Sequence, residues 1–369
     1  MIKTVYNTKD ATIYERFSKL NTGLDAILNV QKVEVDGNQY NSRVLIQFDT
    51  TELSSSMAGK NNPRAVLRLK ATEAYEVPTN YTIYAYPISG SWNMGTGRYG
   101  NLPTGSDGAT WVYRLNSSDT TSQWQTGSYA VAGVTGSWAT NPGGGNWREH
   151  VNFTQSLASQ SFSNQTADIE MDVTSIVARW IVAEGSPTYL PNNGFIIKKS
   201  DVDEQSSTTF GNLQFFSKDT HTIYQPCIYV KYDDAIYHTS YSLVDYTDEV
   251  VVGITNLQQQ YSNNSVVRFN ISARPKYPPR TFATSSNYLR NYQLTSASYY
   301  SIVDAHTNED VIAFDTNYTK ISADSNGNFF KADMSNLFAD RYYKILIKTQ
   351  TQNSETYIYD KNWIFKILK

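Results

Sequence analysis

The stretch that decides the fold is Asp172-Val-Thr-Ser-Ile-Val-Ala-Arg-Trp180, set among segments that alternate like strands. Within it Val173, Ile176, Val177, Trp180 and Ile181 fall at i, i+3, i+4, i+7 and i+8, one continuous apolar stripe. Asp172 or Thr174 is placed to cap its start, and Gly185 followed by Pro187 ends it. It reads as one short amphipathic helix in a chain that otherwise reads as strands. Three strands follow, at Gly194–Lys199, Thr208–Ser217 and Pro226–Tyr232.

Working outward, Ala11–Phe17 and Ala26–Val30 are short strands around a turn at Asn21–Gly23. Arg43-Val-Leu-Ile-Gln-Phe48 alternates so little that it must be buried on both faces or nearly so. Gly59–Pro63 reads as a loop; Ala65–Ala71 and Tyr81–Tyr86 alternate with a period of two. These make about eight strands, the number of a jelly roll. Between Ser89 and Gln165 runs a Gly/Ser/Asn-rich excursion with five of the seven tryptophans: Trp92, Trp111, Trp124, Trp138 and Trp147. Segments of that length are functional or packed against something. After a boundary at Asp233-Asp234, seven short strands about ten residues apart read as a second β-sandwich, immunoglobulin- or fibronectin-like. The expected division is therefore 1–233 and 234–369, all-β throughout.

Composition narrows the function. A net charge of −3 provides no electrostatic footprint for nucleic acid. The single cysteine, Cys227, cannot form a disulfide within the chain and reads as a small buried hydrophobe. No apolar run approaches the ~20 residues of a membrane-spanning helix. Met1–Tyr6 lacks the apolar run of a signal peptide, so synthesis in a cytoplasm is expected. The 28 tyrosines suit strands and also interfaces, where one end of the ring is dry and the other wet.

The order of these pieces carries a resemblance. Asp10-Ala-Thr-Ile-Tyr14 with Leu20–Gly23, Ser42–Asp49, Pro63–Leu69, the Trp92 segment and the Asp172–Trp180 helix with its following strands resemble the DNRLRE-type module. That module is a jelly-roll β-sandwich classed among carbohydrate-binding modules, and the likeness covers roughly the first 230 residues. The long excursion departs from it. Ser91–Gly97 with Gly108–Arg114, and Phe329–Asp333 with Asp340–Tyr343, look like segments of structural proteins of tailed bacteriophages. A module of extracellular type without a signal peptide fits an assembly made in the host cytoplasm and released by lysis.

Candidate chemistry is sparse. Gly95-Thr-Gly-Arg-Tyr-Gly100 matches a dinucleotide fingerprint in letters, but Asn101-Leu-Pro103 follows where a helix should open, so it reads as a loop. His150, His221, His238 and His306 stand too far apart for metal-ligand spacing. Asp324–Asn328 and Asp201–Glu204 are rich in oxygen, but neither meets a calcium loop's need for a glycine at the sixth position and a later glutamate; Asn-Gly in the first is a hairpin signal. No cofactor is expected, apart from a structural calcium implied by the jelly-roll resemblance at Asp10 and Asn21. The five excursion tryptophans are the binding candidates. Exposed, their rings would stack on sugars; buried, they would pack the excursion onto its own domain or a neighbouring subunit. The expectation is a non-enzymatic virion protein at neck, tail, baseplate or capsid surface, in multiple copies within a symmetric assembly. Its partners are other virion proteins, neither nucleic acid nor membrane. The alternative is a carbohydrate-binding protein for host-surface glycan.

Overall fold

A computed structural model describes residues 1–101, 107–117, 120–124, 128–131, 134–137, 143–148, 150–151, 154–155, 157–163, 167–237, 250–277, 292–350 and 355–369. The chain is all-β, with three short α-helices among the described residues. It divides into two compact units, Val5–Ala58 with Arg64–Val230, and Lys231–Lys369 with Met1–Thr4 and Gly59–Pro63. The division near residue 230 lies close to Asp233-Asp234. Met1–Thr4 and Gly59–Pro63 group with the C-terminal unit although they lie before it in the chain. Thr4 N–H donates to Asn336 Oδ1 at 2.6 Å and Asn336 Nδ2 donates to Ile2 O at 2.6 Å. Asn336 is thus a buried bracket between the first residues and the C-terminal unit's own 3₁₀ turn.

In the N-terminal unit the strand Asn38–Phe48 is central. It pairs antiparallel with Ile2–Tyr14 and with Phe195–Lys199, and its opening residues pair with Ile27–Val35. Val44, Leu45 and Ile46 are all fully buried, as the missing alternation requires. Because successive side chains point to opposite faces, register sorts them. Leu45 and Ile196 share one face with Ala11 and Ile13; Ile46 and Phe195 occupy the other with Asp10 and Thr12. On the second face Trp180, from the helix Thr174–Trp180, meets Phe195 at 4.6 Å between ring centroids. The stripe Val173, Ile176, Val177 and Trp180 is buried as expected, while Val173 rather than Asp172 or Thr174 holds the capping position.

The expectation of one helix is corrected by two others. Thr50–Met57 is capped by Asp49, whose carboxylate accepts from Glu52 N–H at 2.8 Å. Asp201–Gln205 is capped by Ser200, whose hydroxyl accepts from Asp203 N–H at 3.0 Å. Their capping signatures stood in the sequence, but both helices are too short to show a clear apolar period.

Among the described residues the C-terminal unit holds a four-stranded and a five-stranded sheet. Its core is aromatic: Phe330 stacks between Tyr300 at 4.1 Å and Phe269 at 5.0 Å, with Tyr261 and Phe365 edge-on nearby. Asp324 and Gly327 pair across the expected hairpin.

Candidate functional site

The strands of the N-terminal unit place Arg43 and Lys198 on the same face as Leu45, Tyr86 and Ile196, the face that the excursion covers. Trp92 and Trp124, 1% and 2% exposed, lie in a cluster with Ala11, Ile13, Leu45, Ile88 and Ile196. Their indole N–H groups are spent inside: Trp92 donates to Asn193 O at 2.8 Å and Trp124 to Thr110 O at 2.9 Å. Neither ring offers a face to a ligand. Trp111 and Trp147 are half-buried against the same cluster and flank Arg43, whose guanidinium stands 5.0 Å from each ring centroid. Trp138 lies outside the described residues. The tryptophan readings therefore separate. Two rings are core, two clamp an arginine, and the fold assembles no open tryptophan groove from these four.

Beneath Trp111 and Trp147 sits a charged knot. Arg43 binds Glu204 through two hydrogen bonds, Nε to Oε1 at 3.0 Å and Nη2 to Oε2 at 2.6 Å. Lys198, 0% exposed, reaches the same Glu204 Oε2 at 3.1 Å, pairs with Asp201, and lies 4.9 Å from the Trp147 ring centroid. Glu204 comes from the helix Asp201–Gln205, so the oxygen-rich Asp201–Glu204 stretch is a helical anchor for buried cations. Low dielectric makes such a pair strong once formed and costly to break. Beside it Lys199 donates to Gly211 O at 2.9 Å, and burial lowers its ammonium to about 8.

The excursion reaches this knot because it carries Gly143-Gly-Gly145. At Gly144, with φ +76°, a Cβ would stand 2.4 Å from Arg43 Nη1 and 2.9 Å from Trp111 Cζ2. Glycine alone allows that approach, and Arg43 Nη1 uses it to donate to Gly144 O. The fingerprint-like Gly95–Gly100 does the same around Asn21: a Cβ at Gly95 would meet Asn21 Oδ1 at 2.4 Å.

Asn21 and Asp10 have different hydrogen-bond partners. Asn21 donates from Nδ2 to Met94 O and Ala109 O, both at 2.8 Å, and its Oδ1 accepts from Gly97 N–H at 2.8 Å. Its amide holds the excursion's first loop. Asp10 Oδ2 accepts from Asn7 Nδ2 at 2.7 Å and Lys218 N–H at 2.6 Å. Asp10 Oδ1, Asn7 Oδ1 and Asp219 Oδ2 are buried without partners. Burial, with the neighbouring Asp219 charge adding to it, pushes the Asp10 carboxyl up to about 7. Asn7, Asp10 and Asp219 are the residues that could hold a hard cation, which takes oxygen ligands. Among the described residues no group of three or more His, Cys, Asp or Glu side chains has metal-binding geometry.

A surface that the sequence reading passed over lies elsewhere on this unit. Gln31, Asn212 and Tyr75 stand in one cross-strand row, and Asn29, Gln214 and Glu73 in the next, on the strands Ile27–Val35, Gly211–Phe216 and Ala71–Tyr75. Two strands repeat Asn-x-Gln, Asn29-Val-Gln31 and Asn212-Leu-Gln214, with apolar partners facing inward. That repeat was the available signal; only register shows that the two copies lie side by side.

No family model matches the chain, and no curated protein matches it. Among solved structures it is similar to the adhesin domain of Epf from Streptococcus pyogenes at 9% identity, over 99% of this chain and 97% of that one, with a TM-score of 0.18. At that TM-score the likeness carries no argument about fold or function.

Proposed function

We propose that this chain is a non-enzymatic structural component of a tailed-bacteriophage virion, an assembly adaptor that docks onto neighbouring virion proteins through the C-terminal unit. The observation that carries the reading is one sheet face of that unit. The pairs Tyr342↔Lys366, Lys344↔Ile364 and Lys348↔Ile358 put Tyr342, Ile358 and Ile364 on the same side of the strands Tyr342–Gln350 and Thr356–Leu368. All three are exposed, Ile358 most of all at 58%, and Lys344, Lys348 and Lys366 stand among them. An apolar group edged by charge on a twisted sheet is the composition of a protein-docking surface. Tryptophans turned inward are compatible with a scaffold role, since they stiffen the N-terminal unit.

The test is to purify particles on a density gradient and label them with antibody against this chain. Label at one repeated position on the particle is expected, and a chain carrying Ile358→Glu with Ile364→Glu should fail to incorporate. Label confined to host debris, with particles bare, would overturn the proposal.

A further inference from the structure

The geometry points to a contact between copies: we propose that an acidic trough on the N-terminal unit takes the basic segment Arg274–Tyr277 of a second copy of this chain. The contact uses none of Tyr342, Ile358 and Ile364, so this proposal and the docking reading above can each fail alone.

The trough exists because one strand pairing stops early. The strand Ile27–Val35 pairs with Asn38–Phe48 from Gln31 to Val35, up to the turn at Asp36-Gly37. On its other side the strand Gly211–Phe216 leaves it at Lys32↔Gly211. Val33–Val35 therefore form an open edge among the described residues. Backbone groups alternate in direction along an antiparallel pair. With Val33 and Val35 turned to Asn38–Phe48 across the two-residue turn, Glu34 keeps its N–H and C=O on the open side. Such an edge accepts an extended segment from another chain.

The space beside this edge is a depression of about 1040 Å³. Val33, Val35, Val77, Pro78 and Phe210 give it half-buried apolar walls, and Glu34 and Glu76 stand exposed on it. Asp25 lines the adjoining depression, and among the described residues Arg16 is the one cation lining either. Apolar walls with a carboxylate rim call for a partner that is apolar and cationic at once.

The chain itself carries that partner. Between Glu249 and Asp304 there is no Asp or Glu, while Arg274, Lys276, Arg280 and Arg290 follow one another closely. Arg274 and Lys276 are exposed, at the end of the strand Val266–Pro275. Tyr277 beside them is 72% exposed, a large ring left in solvent. Already extended up to Pro275, the segment loses little conformational entropy on docking. Tyr277 supplies the ring for the apolar walls, and Arg274 and Lys276 supply the charge for Glu34 and Glu76. Two acidic troughs repel each other, as do two basic segments, so the contact joins unlike patches.

The experiment is sedimentation velocity on the full chain over micromolar concentrations. Mass should rise with concentration, and added salt should reverse the rise. Glu34→Lys with Glu76→Lys, and separately Arg274→Glu with Lys276→Glu, should each weaken self-association about tenfold or more. An equimolar mixture of the two variants should associate again, because the segment of one meets the unaltered trough of the other. Ile358→Glu should leave association unchanged. Circular dichroism of each variant must match that of the parent chain. If the segment variant fails to fold, a labelled peptide of residues 273–280 decides: it should bind the parent and lose about tenfold on Glu34→Lys with Glu76→Lys. A chain monomeric throughout, self-association untouched by both reversals, a mixture of folded variants that stays monomeric, or a peptide indifferent to the trough variant would each overturn the proposal.

Discussion

Replacing Glu204 by alanine should destabilise the N-terminal unit far more than one surface charge would. Glu204 is the carboxylate shared by Arg43 and Lys198, at 2.6 and 3.1 Å, and all three side chains are at most 12% exposed. Its removal leaves two cations in a low-dielectric site. Breaking a buried pair costs about 3–5 kcal/mol, mostly the penalty of the charge left behind. Asp201 still meets Lys198, but it is half exposed and therefore screened, so it offsets little. The expected loss is about 3 kcal/mol or more. Urea unfolding followed by tryptophan emission measures it, because six of the seven tryptophans lie at or before position 180 and report on this unit. The triple change Arg43→Met, Lys198→Met, Glu204→Met separates uncompensated charge from lost packing. It removes every charge of the knot while keeping bulk, and should recover most of the loss. A loss below about 1 kcal/mol for Glu204→Ala, the range of an ordinary surface change, would refute the reasoning. So would a triple variant no more stable than the single one.

Other expectations follow from the same geometry. Gly144→Ala forces a Cβ into Arg43 and Trp111 at positive φ, and should cost about 2–4 kcal/mol and shift tryptophan emission to the red; an unchanged melting temperature would contradict the close approach. Asp10 titrates near 7 in the fold and near 3.8 unfolded, so the folded state binds the extra proton between those values. Its contribution therefore falls as pH rises from about 4 to about 7 and is flat above, about 4 kcal/mol in all. In chelator-treated buffer Asp10→Asn should be more stable than the parent at pH 8 and no more stable at pH 4; equal stability at both would contradict the burial. If Asn7, Asp10 and Asp219 hold calcium, millimolar calcium should raise the parent's melting temperature at pH 8 and leave Asp10→Asn unmoved. Asn336→Ala strips Thr4 N–H and Ile2 O of their partner and should cost the C-terminal unit about 2–3 kcal/mol, read by amide exchange at Ile2–Thr4 and Met334–Leu337.

What the sequence determined by itself was everything carried by local period. An apolar run with little alternation marked the strand around Val44–Ile46, alternation marked the strand at Tyr81–Tyr86, a 3.6-residue stripe marked Ile176–Trp180, and Asn-Gly marked the hairpin at Asp324–Gly327. Those patterns survive folding because an isolated segment already prefers them. The partners came from elsewhere in the chain. Whether Trp92 and Trp124 faced solvent or Leu45 depended on a glycine-rich loop returning over a strand a hundred residues away. That Glu204 would neutralise Arg43, that Asn336 would hold Thr4, and that Asn29 and Gln214 would lie side by side are matters of register and loop closure. No local propensity encodes these contacts. They form only when strands distant in sequence settle the backbone register, and one residue of slip would turn every one of these side chains to the opposite face.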